Sequence, residues 1–126
     1  MKRLALSAAL FVLCFTIAIT GYCQIENGCK SMINGLENAG AAIKTNDLSR
    51  AKSQIDNVLS LWKSDRKVFG IFLEHETLTN LNSSITASEK LLDANNTEAA
   101  FEEIQSAISA LRNISQEQKI CIENIL

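Results

Sequence analysis

Residues Leu4 to Tyr22 run without a charged side chain directly behind Met1-Lys2-Arg3, and no other feature restricts the fold as much. As a helix rising about 1.5 Å per residue the stretch is roughly 28 Å long, close to a hydrocarbon core of about 30 Å. Hydroxyls at Ser7, Thr16 and Thr20 bond back to the preceding helical turn, so none opposes burial in lipid. Lys2 and Arg3 keep the N-terminus cytoplasmic by the positive-inside rule, and Tyr22 is placed to anchor at the far interface. The expectation is a lipid bilayer crossed by Leu4 to Tyr22, with a membrane anchor or signal segment over 1-24 and an extracytoplasmic domain over 25-126.

Two rival readings use the same residues. A cleaved secretory signal needs an apolar stretch of about 7 to 15 residues and small residues before the cut; Thr16-Ile17-Ala18 or Ile19-Thr20-Gly21 serve that purpose poorly. A lipoprotein needs a small residue before its lipidated cysteine, and Tyr22 precedes Cys23.

From Gln24 onward ten Lys and Arg stand against fourteen Asp and Glu, with the signs interspersed. There is no basic stripe to displace counterions from phosphates, which argues against nucleic acid as a partner and against docking the domain flat on anionic lipid. The length supports one small domain with a modest core and no deep enclosed active site.

Proline is absent and glycine occurs five times, whereas an all-β domain uses turn residues every 8 to 12 or so positions. The chain is therefore predicted to be all-α: an N-terminal transmembrane or signal-anchor helix followed by an antiparallel helical-hairpin bundle of three or four helices. Ile25, Cys29, Met32, Ile33, Leu36, Ala39 and Ile43 recur at helical steps. This helix continues the apolar segment outward, since nothing stronger than Gly21 and Gly28 separates them. Thr45-Asn46-Asp47 forms a turn, with Asn46 or Asp47 as N-cap. Leu48, Ala51, Ile55, Val58, Leu59, Trp62, Phe69, Phe72 and Leu73 mark a long second helix with a solvated middle, Lys63 to Lys67. A break is expected near Glu74-His75-Glu76-Thr77. Leu78, Leu81, Ile85, Leu91 and Leu92 make a third face, with Ser88 filling its gap, up to Asn95-Asn96. A last helix from Thr97 presents Phe101, Ile104, Ile108, Leu111 and Ile114. Ser115-Gln116-Glu117-Gln118 fits a capping box that restarts a helix.

An internal echo runs through the chain. Ile43, Asn46, Asp47, Ala51, Ile55, Val58, Leu59 and Trp62 align with Leu92, Asn95, Asn96, Ala100, Ile104, Ala107, Ile108 and Leu111 at a constant offset of 49. The unit resembles the helix-turn-helix of tetratricopeptide arrays, but two copies fall short of the three or so a solenoid needs. Any antiparallel helical hairpin wants the same features.

Trp62 within a long helix, the segment Phe72-Leu73-Glu74-His75-Glu76, the Asn-rich turn before Glu98-Ala99-Ala100 and the closing Glu123-Asn124-Ile125-Leu126 together resemble the bacterial family catalogued as domain of unknown function 4363, from about Asp47 to the end. The resemblance implies a small membrane-anchored helical protein, found chiefly in Firmicutes, without an established activity, and it carries over no site residues. Members often have a second tryptophan a few residues after the first, where this chain has Val68-Phe69.

Candidate chemistry is sparse. His75, the only histidine, lies between Glu74 and Glu76, but neighbouring helical residues point about 100° apart and do not converge as metal ligands must; a structural or capping role is expected. Cys14 falls within the bilayer, while Cys23, Cys29 and Cys121 would face an oxidising compartment. An up-down-up-down bundle returns Cys121 to the height of Cys23 or Cys29, and a Cys29 to Cys121 disulfide would close a loop worth about 4 kcal/mol in the chain-entropy model. Free thiols packed as small apolar residues are the equal alternative. Asn82-Ser83-Ser84, Asn95-Asn96-Thr97 and Asn113-Ile114-Ser115 fit a glycosylation pattern that matters only in a eukaryotic secretory pathway. No nucleophile elbow, phosphate loop or triad is present, so neither catalysis nor a cofactor is expected.

The function expected is that of a single-span membrane-anchored protein acting through contacts with an unknown protein partner in the bacterial cell envelope. Trp62, Phe69 and Phe72 are the candidate interaction surface, because exposed aromatics dominate interface energetics; the competing reading places all three in the core. The alternative function is a secreted or lipid-tethered helical protein that binds a small apolar ligand between its hairpins.

Overall fold

The computed structural model describes the backbone of residues 1–125 and the side chains as far as Glu117 and at Lys119. Four helices follow one another: α1 (Lys2–Lys44), α2 (Leu48–Phe72), α3 (His75–Asp93) and α4 (Thr97–Ile125). Each lies against two neighbours, α1 against α2 and α4, and α3 against the same two, so the helices stand at the corners of a square. This is the antiparallel bundle that short loops between amphipathic helices impose.

α1 is unbroken for 43 residues, about 64 Å at helical rise. Its buried residues begin at Gly21 and continue through Ile25, Gly28, Cys29, Met32, Leu36, Ala39 and Ile43. The helix passes through the expected boundary at residue 25 without interruption, and packing on the bundle starts one turn earlier. α2 meets α1 along three glycines seven residues apart. A Cβ on Gly21 would overlap the Phe72 ring; one on Gly28 would lie 2.8 Å from the Asp65 carboxylate, and one on Gly35 2.6 Å from Val58 Cγ2. A helix-interior glycine costs about 1 kcal/mol relative to alanine, and here the return is the close approach of α2. The seven-residue period keeps the seam on one face over several turns.

The two turns linking α1 to α2 and α3 to α4 match bond for bond. Asn46 N–H donates to Ile43 O at 3.0 Å and Asp47 N–H to Ala42 O at 2.9 Å; Asn95 N–H donates to Leu92 O at 3.0 Å and Asn96 N–H to Leu91 O at 2.9 Å. Asn46 and Asn95 both take a left-handed conformation, φ 59° and 60°, which Asn tolerates better than most residues. The following residue then caps the next helix: Asp47 Oδ1 accepts from Arg50 N–H at 3.2 Å and Asn96 Oδ1 from Ala99 N–H at 3.4 Å. Of the two N-cap candidates in the first turn, Asp47 is the one used. The small residues one turn into α2 and α4, Ala51 and Ala100, are fully buried. The offset of 49 is thus a structural equivalence of the two hairpins.

α2 and α3 are joined more abruptly at Leu73 and Glu74, both extended, where a break was expected. Ser88 is buried in the third face and satisfies its hydroxyl on Ser84 O at 2.8 Å. The capping box at Ser115 restarts nothing, because α4 runs straight through it; backbone bonds to the preceding turn outcompete the local side-chain cap.

Candidate functional site

The end of the bundle from which α1 projects concentrates the unusual surface. Leu4, Leu6, Leu10, Phe11, Val12, Leu13, Phe15, Ile17 and Ile19 are all exposed, although each is a large apolar side chain. Together they form a stem left uncovered among the described residues. α1 is the one helix, among the described residues, long and apolar enough to cross a membrane. Ser7 and Thr16 turn their hydroxyls onto Arg3 O at 2.9 Å and Val12 O at 2.8 Å, which leaves the stem's outer surface apolar.

Where the stem enters the bundle, the Phe72 ring lies over Gly21. Beside it, Thr16, Ile17 and Thr20 of α1 face Val68 and Ile71 of α2 across a shallow groove. Ile71 is 76% exposed, the only large apolar side chain after Ile19 that is exposed among the described residues.

The expected aromatic surface requires correction. Trp62 and Phe69 are inside the bundle, 2% and 0% exposed, in an edge-to-face pair with centroids 5.8 Å apart. Trp62 Nε1–H reaches out to Asn82 Oδ1 at 2.9 Å, so the ring is buried while its polar atom is satisfied near the surface. Gly28 of α1 leaves room for the Phe69 ring, which packs closely against it. Only Phe72 keeps partial exposure. The glycine row was the missed signal: Gly21, Gly28 and Gly35 stand seven apart in the sequence, and that spacing marks the seam on which α2 lies.

Cys29 is a free thiol in the core. Its pKa is pushed up to about 12, chiefly by burial, with further contributions from the Asp65 and Glu26 carboxylates. Asp65 is itself raised by burial at the α1–α2 seam. The Cys121 half of the expected disulfide lies outside the described side chains. Cys14 and Cys23 are exposed on α1. His75 is the exposed first residue of α3, and its carbonyl accepts from the Thr79 hydroxyl at 2.9 Å; its neighbour Glu74, at the N-cap position, makes no side-chain cap. Among the described residues no three His, Cys, Asp or Glu side chains gather as metal ligands would.

At the opposite end of the bundle, α1 and α4 border a second shallow groove. The Lys44 ammonium stands 5.2 Å above the half-buried Phe101 ring, Gly40 admits that ring closely, and Arg112 pairs with Glu37 at 2.9 Å.

The all-helical bundle with its projecting apolar helix agrees with the resemblance drawn from the sequence. The chain belongs to the family described as domain of unknown function 4363, whose family model matches residues 19–125. That match begins inside the last turns of the apolar segment, near the residue where packing starts. Comparison with curated proteins and with solved structures gives no significant match.

Proposed function

We propose that this protein is a single-span, membrane-anchored helical protein whose bundle stands outside the cytoplasm and acts through protein contacts in the bacterial cell envelope. The observation that carries this reading is the exposed apolar stem of α1, continuous with a bundle helix. A soluble protein rarely shows so large a contiguous apolar surface, and a bilayer is the partner whose thickness it fits. Lys2 and Arg3 orient the short end inward. Because α1 is one rigid helix from lipid to bundle tip, the Gly40–Phe101 groove is held about 28 Å beyond Gly21, a distance suited to meeting a second envelope protein.

The test is intact mass spectrometry of native protein from membrane and soluble fractions, followed by co-purification from the membrane fraction. A full-length membrane-bound mass supports the anchor, and a species lacking the apolar segment overturns it. Phe101→Ala should keep the helical circular dichroism and lose a co-purifying partner; retention of every partner would remove the groove as the contact face.

A further inference from the structure

We infer that the corner between α2 and α3 is a second membrane contact, with Ile71 and Phe72 entering the interfacial layer of the same phospholipid bilayer that the stem of α1 crosses. The inference rests on the anchored reading and adds a constraint to it. If the span extends to Tyr22, the outer turns of the apolar segment, Thr16 to Gly21, lie at or below the headgroup level. The end of α2 is packed beside those turns: Phe72 covers Gly21, and Ile71 and Val68 border the groove formed with Thr16, Ile17 and Thr20. The corner therefore cannot stand clear of the bilayer while those turns are immersed. The chemistry of its tip agrees, since Ile71 is left 76% exposed beside the lipid-facing stem.

A second copy of the chain could also cover an exposed isoleucine, but the groove is continuous with the apolar stem, and lipid packed around the stem reaches Ile71 without any further surface. The neighbours limit the depth. Lys67, one helical turn before Ile71, is exposed, and so are Glu74, His75 and Glu76 just after the corner. A single apolar tip in a polar setting suits the boundary between headgroups and acyl chains, where apolar faces sit about 5 to 10 Å deep. With cationic and anionic groups on either side, attraction to anionic lipid is not what carries the contact. The consequence is orientation: two contacts hold the bundle at a fixed tilt, whereas a single helix would leave it free to swing.

The experiment uses the full-length protein in phosphatidylcholine vesicles with and without brominated acyl chains, which quench tryptophan emission at close range. Phe11→Trp, Ile71→Trp and Ala94→Trp, the last at an exposed site of ordinary backbone conformation at the far end of the bundle, are compared after subtracting the emission of native Trp62, with circular dichroism confirming equal helicity. The expected result is loss of the added emission at positions 11 and 71 and none at 94. Quenching at 11 without quenching at 71 overturns the corner contact and leaves the anchor standing. No quenching at either overturns both readings.

Discussion

At the scale of single residues, the α1–α2 seam makes the clearest predictions. Trp62 is enclosed and paired edge-on with Phe69, so Trp62→Ala should lower stability by about 3–5 kcal/mol, read from urea unfolding. An unchanged midpoint would show that the ring is not core. Cys29 has its folded pKa raised from 9.0 to about 12, so the native state holds that proton more tightly than the unfolded chain does. The stability gained from the neutral thiol is complete below about pH 9 and is lost as pH rises toward about 12. Cys29→Ala should flatten that alkaline decline. Asp65 is also raised, from 3.8, and the sign works against the fold at neutral pH: its favourable protonated form is present below that value and disappears as pH climbs through the folded pKa. Asp65→Asn should therefore raise Tm at pH 7 and give no gain at acid pH. It should also move the alkaline decline of Cys29 downward, because the Asp65 charge contributes to that thiol's high pKa.

Elements behave according to their contacts more than their propensities. In an exposed helix Gly35→Ala would add up to about 1 kcal/mol. Here the new methyl meets Val58 Cγ2 at 2.6 Å, and overpacking of this kind costs about 1–3 kcal/mol; a loss in Tm is expected, recovered when Val58→Ala is added. The matched turns give a paired test. Asn46→Ala and Asn95→Ala each force alanine into a left-handed conformation, at a cost of about 1–2 kcal/mol. Glycine at either site should be tolerated better. Because the hydrogen bonds correspond one to one, the two alanine variants should lose similar amounts in urea titrations. A large difference would mean that the equivalence is only geometric.

For the whole molecule, the separation of stem from core is the main consequence. The buried set of α1 starts at Gly21, and the first 18 residues contribute no side chain to the core. A chain beginning at residue 19 should fold as a soluble helical bundle, checked by circular dichroism and sedimentation. Cutting after residue 24 would remove the Gly21–Phe72 contact and should give a less stable product.

The sequence by itself determined the helical class, both Asn turns, the break near Glu74 and the faces containing Ile25, Ile55, Leu81 and Ile104, because periodicity and turn chemistry are local. It also marked the apolar stem, since hydropathy needs no partner to be read. Tertiary structure alone decided between the surface and core readings of Trp62 and Phe69, both enclosed in the bundle, with the Phe69 ring packed against Gly28 of another helix. It alone placed Ile71 beside the stem, since residues 50 or more positions apart meet only when α2 packs back along α1. Cys29 and Asp65 share the same cause: an isolated helix leaves both to water, and the approach of two helices at Gly28 gives them a common buried seam.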